Sequence, residues 1–109
     1  MAEATEEERL QIRKLASRLE CVNLAQQVVS DLLSYGLTKA DVCDEIVAWI
    51  DAGERVKTTV LHSFSGLVGQ RAFELKPRIE ARIYYVKVTI QVSAETEELL
   101  LLLSTHLNH

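Results

Sequence analysis

The sequence predicts an α+β fold in which N-terminal helices pack on one face of a four-stranded antiparallel sheet. Apolar residues recur at helical spacing up to about residue 52, whereas β-branched residues and strict alternation dominate from residue 55 onward. No internal repeat or linker divides the 109 residues. A chain of this length can bury one core, so we expect a single domain, 1–109, with helices at about 6–52 and the sheet at about 55–106.

Two helices are predicted before residue 37. The segment 6–19 has apolar residues along one stripe and charged residues on the other face, which is typical of an amphipathic helix. Asn23 is a candidate N-cap for a second helix over about 24–35. Gly36 would end that helix, because glycine adopts the left-handed conformation without a Cβ clash.

A third helix is predicted over about 39–51. Thr38 and Asp41 have the spacing of a capping box at its start. Its exposed face is acidic, with Asp41, Asp44 and Asp51 and only one lysine. Phosphates would be repelled by this face, so the helix pair is not expected to read DNA.

Four strands are predicted in the second half. The β-branched segment 55–62 and the segment 70–76 form the first two, and Pro77 marks the turn that follows. The third strand has apolar residues at every second position from Tyr84 to Val92. Alternation of this kind places one set of side chains in the core and the other set outward.

The leucine-rich segment 98–106 fits either a short helix or a strand that is covered on both faces. We favour a strand, because it follows a strand across a short polar segment, 93–97, that can form a turn. A second turn is expected at 63–69, which contains two glycines.

The outward positions of the third strand carry Tyr85, Lys87, Thr89 and Gln91. These four residues lie in the basic part of the chain. Residues 55–92 contain seven basic and two acidic residues, whereas the first 54 residues contain five basic and eleven acidic ones. The asymmetry fits an anionic ligand on the sheet, but solvated strand lysines would give the same pattern.

Several protein classes are disfavoured by composition. There is no run of about 20 apolar residues to span a bilayer, and the N-terminus is acidic, unlike a secretory signal. We therefore expect a cytoplasmic protein without a membrane partner. Cys21 and Cys43 belong to no metal-ligand or nucleophile motif and are expected to be buried free thiols.

Five segments of the chain share the order and spacing of a known family, and they are 35–46, 57–59, 76–78, 83–89 and 104–106. The best of them run from Lys76-Pro77-Arg78 to Tyr85-Val86-Lys87-Val88-Thr89. On these residues the chain resembles the motility quorum-sensing regulator family of bacterial toxins.

The resemblance implies a RelE-like fold and a metal-independent endoribonuclease that cleaves mRNA. Such a protein is the toxin of a type II toxin–antitoxin pair, is inhibited by its cognate antitoxin and uses no cofactor. The family's tyrosine on the long strand falls on Tyr85, and a strand lysine two positions further on falls on Lys87. A second lysine falls on Lys57 after a one-residue shift, and His106 replaces a lysine of the last strand.

The residue types suit the chemistry. Metal-free RNA cleavage needs a base near the ribose 2′-OH, cations for the phosphate and an acid for the departing oxygen. Lysine and tyrosine, with ordinary pKa values of about 10, serve as donors, and histidine can give or take a proton near neutral pH. The expected supporting RNA contacts are Gln70, Arg71, Lys76 and Arg78.

One alternative from another class stays open. A chain with the same RelE-like fold could be a non-catalytic protein–protein interaction module that binds its partner through an edge strand or through the acidic helices. In that case Tyr85 and Lys87 would be ordinary side chains of a solvated strand. Trp49 is interpreted as a core or interface residue rather than a base-stacking platform, because it lies on the acidic helix.

Overall fold

The computed structural model describes residues 3–62, 66–92 and 98–107. Within them the α-helices are α1 (Glu6–Ala16), α2 (Gln26–Tyr35) and α3 (Lys39–Asp51), with a 3-10 turn at Leu19–Cys21. The strands are β1 (Val22–Leu24), β2 (Lys57–Val60), β3 (Arg71–Leu75), β4 (Arg78–Ile79), β5 (Arg82–Val92) and β6 (Glu98–Leu107). No helix in the described part of the chain is both long and apolar enough to cross a bilayer.

The helix ends follow local side-chain chemistry. The predicted capping box of α3 is confirmed, since Thr38 accepts from the backbone of Asp41 and the Asp41 carboxylate accepts from the backbone of Thr38. Gly36 ends α2 with a φ of 72°, as predicted. The prediction for Asn23 is wrong, because Ala25 occupies the N-cap position of α2 and Asn23 lies in β1.

The strands form one sheet in the order β1-β6-β5-β3-β2, and β4 pairs with β5 beside this path. All pairs are antiparallel except β1 with β6, which are parallel. The predicted α+β class is confirmed, and the leucine-rich segment is a strand. The sheet is mixed and has more strands than the four that the sequence predicted, because β1 is only three residues long and shows no readable alternation.

The main core lies between the helices and one face of the sheet. Ile12, Val28 and Ile46 contribute from the three helices, and Val86 and Val88 contribute from β5; all five are fully buried. The N-terminal segment joins the sheet as well, since the Ala4 N–H donates to the Val56 carbonyl at 2.9 Å. The acidic first helix is therefore part of the packed domain.

The opposite face of the sheet is partly covered by the chain between β2 and β3. Leu61, Ala72 and Leu103 form a small second core there, against which Leu67 and Leu101 pack. Of the predicted turns at 63–69 and 93–97, residues 63–65 and 93–97 lie outside the described residues, and 66–69 form a turn. This arrangement leaves only part of the face open.

Candidate functional site

A row of polar side chains crosses the uncovered part of the sheet face opposite the helices. Cross-strand partners in a sheet share a face, and the register pairs Lys57 with Glu74, Glu74 with Lys87 and Lys87 with Ser104. The adjacent pair on this face is Tyr85 with His106. We call this group the polar patch, and its members are Lys57, Glu74, Tyr85, Lys87, Ser104 and His106.

The alternation of side chains along β5 explains why Tyr85 and Lys87 belong to the polar patch. Tyr84, Val86 and Val88 are buried toward the helices, so Tyr85 and Lys87 point to the other face, as predicted. Both side chains are half-buried rather than fully solvated. Thr89 departs from the predicted outward exposure: it is fully buried beneath the second core, and its hydroxyl donates to the Arg71 carbonyl at 2.7 Å.

A β-bulge in β6 explains why His106 belongs to the polar patch. The register passes from Lys87 opposite Ser104 to Val88 opposite Leu102, so Leu103 is an extra residue in the strand. One extra residue reverses the side-chain alternation beyond it. His106 would share the helix-covered face of Leu102 in a regular strand, and the bulge turns it toward the polar patch.

Tyr85 is hydrogen-bonded to the acidic member of the patch. Its hydroxyl donates to Glu74 Oε2 at 2.6 Å. Burial raises the pKa of Tyr85 well above its ordinary value, and the hydrogen bond to Glu74 and the charge of that carboxylate raise it further. The phenol therefore keeps its proton across the physiological pH range and can act as a proton donor.

His106 stacks on Tyr85. The two ring centroids are 5.0 Å apart and the planes differ by 20°. The imidazole is exposed, and its Nδ1 lies 3.2 Å from the Leu107 carbonyl oxygen. Because a carbonyl oxygen only accepts, this contact is a hydrogen bond in the tautomer that carries the ring proton on Nδ1, and in that tautomer Nε2 has the free lone pair.

Two lysines flank the Glu74 carboxylate. Lys57 is its cross-strand partner on one side and Lys87 on the other. Lys87 Nζ lies 5.9 Å from the centroid of the Tyr85 ring, within the range of a cation–π contact. The patch thus combines two ammonium groups, one carboxylate, one phenol and one imidazole on neighbouring positions of four strands.

The predicted supporting residues are not all brought to this patch. Lys76 is exposed and borders a small cavity beside Lys57. Gln70 and Arg71 border a cleft with Glu8 of α1. Nε and Nη2 of Arg71 each donate to one oxygen of the Glu8 carboxylate at 2.9 Å. Arg78 lies in the β4–β5 hairpin. The RNA-contact role of these residues stays a prediction.

The sequence interpretation missed Glu74. Its signal was present, because Glu74 alternates with the apolar Phe73 and Leu75 and so shares the outward parity of its strand. What the sequence could not supply was the register that sets it between Lys57 and Lys87. Among the described residues, no group of three or more His, Cys, Asp or Glu side chains is arranged to hold a metal ion.

No family model, curated protein or solved structure matches the chain. The resemblance to the motility quorum-sensing regulator family accordingly remains a hypothesis based on the residues given above.

Proposed function

We propose that this protein is a metal-independent endoribonuclease that cleaves single-stranded mRNA at the polar patch, with a RelE-like fold. The observation that carries the proposal is the convergence of Tyr85, Lys87, Lys57 and His106 on one open face, around Glu74. These are the residue types that transfer protons and stabilise charge without a metal.

Each group has a step that fits its chemistry. His106 Nε2 takes the proton of the ribose 2′-OH, and the 2′-oxygen attacks the adjacent phosphorus. The P–O5′ bond breaks and a 2′,3′-cyclic phosphate forms. Tyr85, which retains its proton, donates it to the departing 5′-oxygen, while Lys87 and Lys57 stabilise the charge on the phosphate. His106 then releases its proton to solvent and Tyr85 recovers one from solvent, which restores the starting state.

The stacking of Tyr85 and His106 supports this division of labour. The two ring centroids are 5.0 Å apart on the same open face, so base and acid are close enough to reach the two ester oxygens of a single phosphodiester. Glu74 holds the Tyr85 hydroxyl until substrate binds. Glu74 is therefore a positioning residue, and it also lowers the cost of holding two lysines close together.

The physiological setting in this proposal comes from the resemblance. The protein would be a cytoplasmic toxin that inhibits translation by cleaving mRNA, and a cognate antitoxin would inhibit it. A second candidate is the non-catalytic interaction module, which is favoured by the apolar residues Val29 and Leu33 on α2, since Leu33 is 78% exposed.

The test is cleavage of single-stranded RNA by the purified protein in the presence of a chelator, with mass spectrometry of the products. We expect 2′,3′-cyclic phosphate ends. Tyr85→Phe should lower kcat by about 10²- to 10⁴-fold, the usual contribution of a general acid. The matched control is Tyr84→Phe, which removes the same hydroxyl from the same strand on the helix-covered face.

Lysine variants give a second pair. Lys87→Ala should lose most activity, whereas Lys14→Ala, an exposed lysine of α1, should retain it. A folded wild-type protein that leaves all RNA intact would refute the endoribonuclease and favour the interaction module. Growth arrest on expression, relieved by a neighbouring gene and absent for Tyr85→Phe, would support the toxin.

A further inference from the structure

A small cavity lies beside the polar patch, where α3 meets the beginning of β2 and the end of β3. Its volume is about 190 Å³. This is below the roughly 300–1,000 Å³ of pockets for drug-sized ligands, so the cavity suits one planar ring rather than a whole cofactor. The residues that line it are Trp49, Arg55, Lys57, Glu74 and Lys76.

Trp49 forms the apolar wall of this cavity. Its indole Nε1–H donates to the Arg55 carbonyl at 3.0 Å, which fixes the ring against the segment that leads into β2. The side chain is half-buried, so part of the ring packs against the main core while part borders the cavity. An aromatic face held in this way is a platform that needs no ordering before a ligand stacks on it.

Cations surround that platform. Arg55, Lys57 and Lys76 are all exposed at the rim, and Glu74 is the single acid. Arg55 has an acidic neighbour in Glu3 at 3.6 Å, but both side chains are more than half exposed, so water screens the pair and a phosphate can compete for the guanidinium. An aromatic wall with a basic rim is complementary to single-stranded nucleic acid.

The cavity shares two of its lining residues with the polar patch. Lys57 and Glu74 belong to both, since each lines the cavity and each lies in the cross-strand row of Lys57, Glu74, Lys87 and Ser104. A chain of nucleotides that crosses the patch would therefore place a neighbouring base at the cavity.

We propose that this cavity is a base-binding subsite, in which one base of single-stranded RNA stacks on Trp49 while Arg55 and Lys76 contact the flanking phosphates. The inference rests on the proposed function and names the part of the substrate that the patch itself does not bind. It also revises the interpretation of Trp49 as a core or interface residue alone, because the acidic residues of α3 do not line the cavity.

The chain contains a single tryptophan, so its fluorescence reports on this cavity directly. The probe is a short oligodeoxynucleotide, which lacks the 2′-OH and cannot be cleaved. We expect saturable quenching of wild-type fluorescence, and weaker quenching with a strand of equal length that carries abasic sites. The second comparison keeps the phosphates and removes the stacking partner.

Substitution gives an independent measurement with a dye-labelled strand, read by anisotropy. Trp49→Leu should weaken binding by about 5- to 150-fold, the range expected when one base loses its aromatic partner. Trp49→Phe keeps an aromatic face and should weaken it by less than about 5-fold. In cleavage assays the loss should fall on KM, with kcat nearly unchanged, because stacking is equal in the ground and transition states.

The outcomes separate this inference from the proposed function. If RNA is cleaved but saturating oligonucleotide leaves the fluorescence unchanged, or abasic and normal strands bind equally, the subsite is refuted and the nuclease stands. If the strand quenches Trp49 but no RNA is cleaved, the subsite stands and the nuclease falls. If the strand fails to bind and no RNA is cleaved, both fall. The wild-type titration decides the matter even if Trp49→Leu does not fold.

Discussion

Two buried threonines provide a matched pair for testing the packing of the sheet. Thr89 in β5 and Thr105 in β6 are both fully buried. The Thr89 hydroxyl donates to the Arg71 carbonyl at 2.7 Å, whereas Thr105 Oγ1 has no hydrogen-bond partner among the described residues. The same hydroxyl group should therefore have opposite effects at the two positions.

Thr105→Val is expected to stabilise the protein. Valine replaces the hydroxyl by a methyl of similar size, and Thr105 already faces the apolar core opposite Val86. A buried polar group without a partner costs about 1–3 kcal/mol. Since the core can relax around part of that cost, we expect a gain of about 1–2 kcal/mol in the free energy of unfolding.

Thr89→Val is expected to destabilise it. The change removes a well-formed hydrogen bond and leaves the Arg71 carbonyl without its donor, which costs about 1 kcal/mol or more. Urea unfolding followed by circular dichroism measures both values, and each 1 kcal/mol corresponds to roughly 4–8 °C in Tm for a domain near this size. If both variants lose stability alike, the Thr105 hydroxyl is hydrogen-bonded in solution and the predicted gain is wrong.

Three further predictions test the hairpin, an ion pair and a thiol. Ala81 has a φ of 69°, so Ala81→Gly should relieve backbone strain and stabilise the protein by about 1 kcal/mol. Ala48→Gly, in the interior of α3, should destabilise it by about as much. Urea unfolding measures both, and a loss of stability in both variants would contradict the prediction. The hydrogen-bonded guanidinium of Arg71 lowers the pKa of Glu8 in the folded protein. The ion pair therefore stabilises the fold at pH values above the pKa of Glu8 in the unfolded chain, and this stabilisation is lost as the pH falls through the pKa of Glu8 in the folded protein. Glu8→Gln should cost about 0.5–1 kcal/mol at pH 7 and much less near pH 2, and an equal cost at both would refute the pairing. Burial raises the pKa of Cys43 to about 11. In a variant without Cys21, a thiol reagent at pH 8 should therefore label Cys43 only after unfolding. Fast labelling of the native protein would contradict this prediction.

The strands of the second half were predictable because their signals are long. Alternation from Tyr84 to Val88 matches the burial of β5, and the leucine-rich segment is β6. The alternation also placed Val92 toward the core, but Val92 is 68% exposed. Periodicity gives the direction of a side chain, and it does not say how far the covering helices extend along the strand.

The parallel strand β1 could not be predicted from periodicity. Its three residues, Val22–Leu24, are too few to show alternation, and Asn23 has the composition of a helix cap. The strand exists because β6 offers a free edge, with Val22 opposite Leu100 and Leu24 opposite Leu102. The formation of β1 depends on pairing with β6, nearly 80 positions away, and the local sequence around Val22 does not indicate that pairing.

The candidate site was predictable on β5 and only partly elsewhere. The outward direction of Tyr85 and Lys87 follows from the alternation of side chains along β5 alone. His106 was proposed from the family resemblance, but simple alternation along β6 would have turned it to the wrong face, because the bulge at Leu103 lies within a uniform run of leucines. Glu74 required the register of β3 against both of its neighbours.

The uneven distribution of charge along the chain was the weakest of the sequence signals for a ligand site. The fold shows which basic residues are already paired with acids. Part of the basic excess after residue 55 is matched by N-terminal acids, since Arg71 binds Glu8 and Arg55 lies near Glu3. A count along the sequence treats these arginines as available for a ligand, although one of them already holds α1 to the sheet.

The lysines behave differently. Lys57 and Lys87 lie on the face that the helices leave open, and Lys76 borders the cavity beside it. Setting Arg71 aside, because it is already paired with Glu8, leaves these three lysines as basic side chains close to Glu74. An anionic ligand would be drawn to that place by the lysines alone, so salt should weaken oligonucleotide binding in proportion to the phosphates they neutralise.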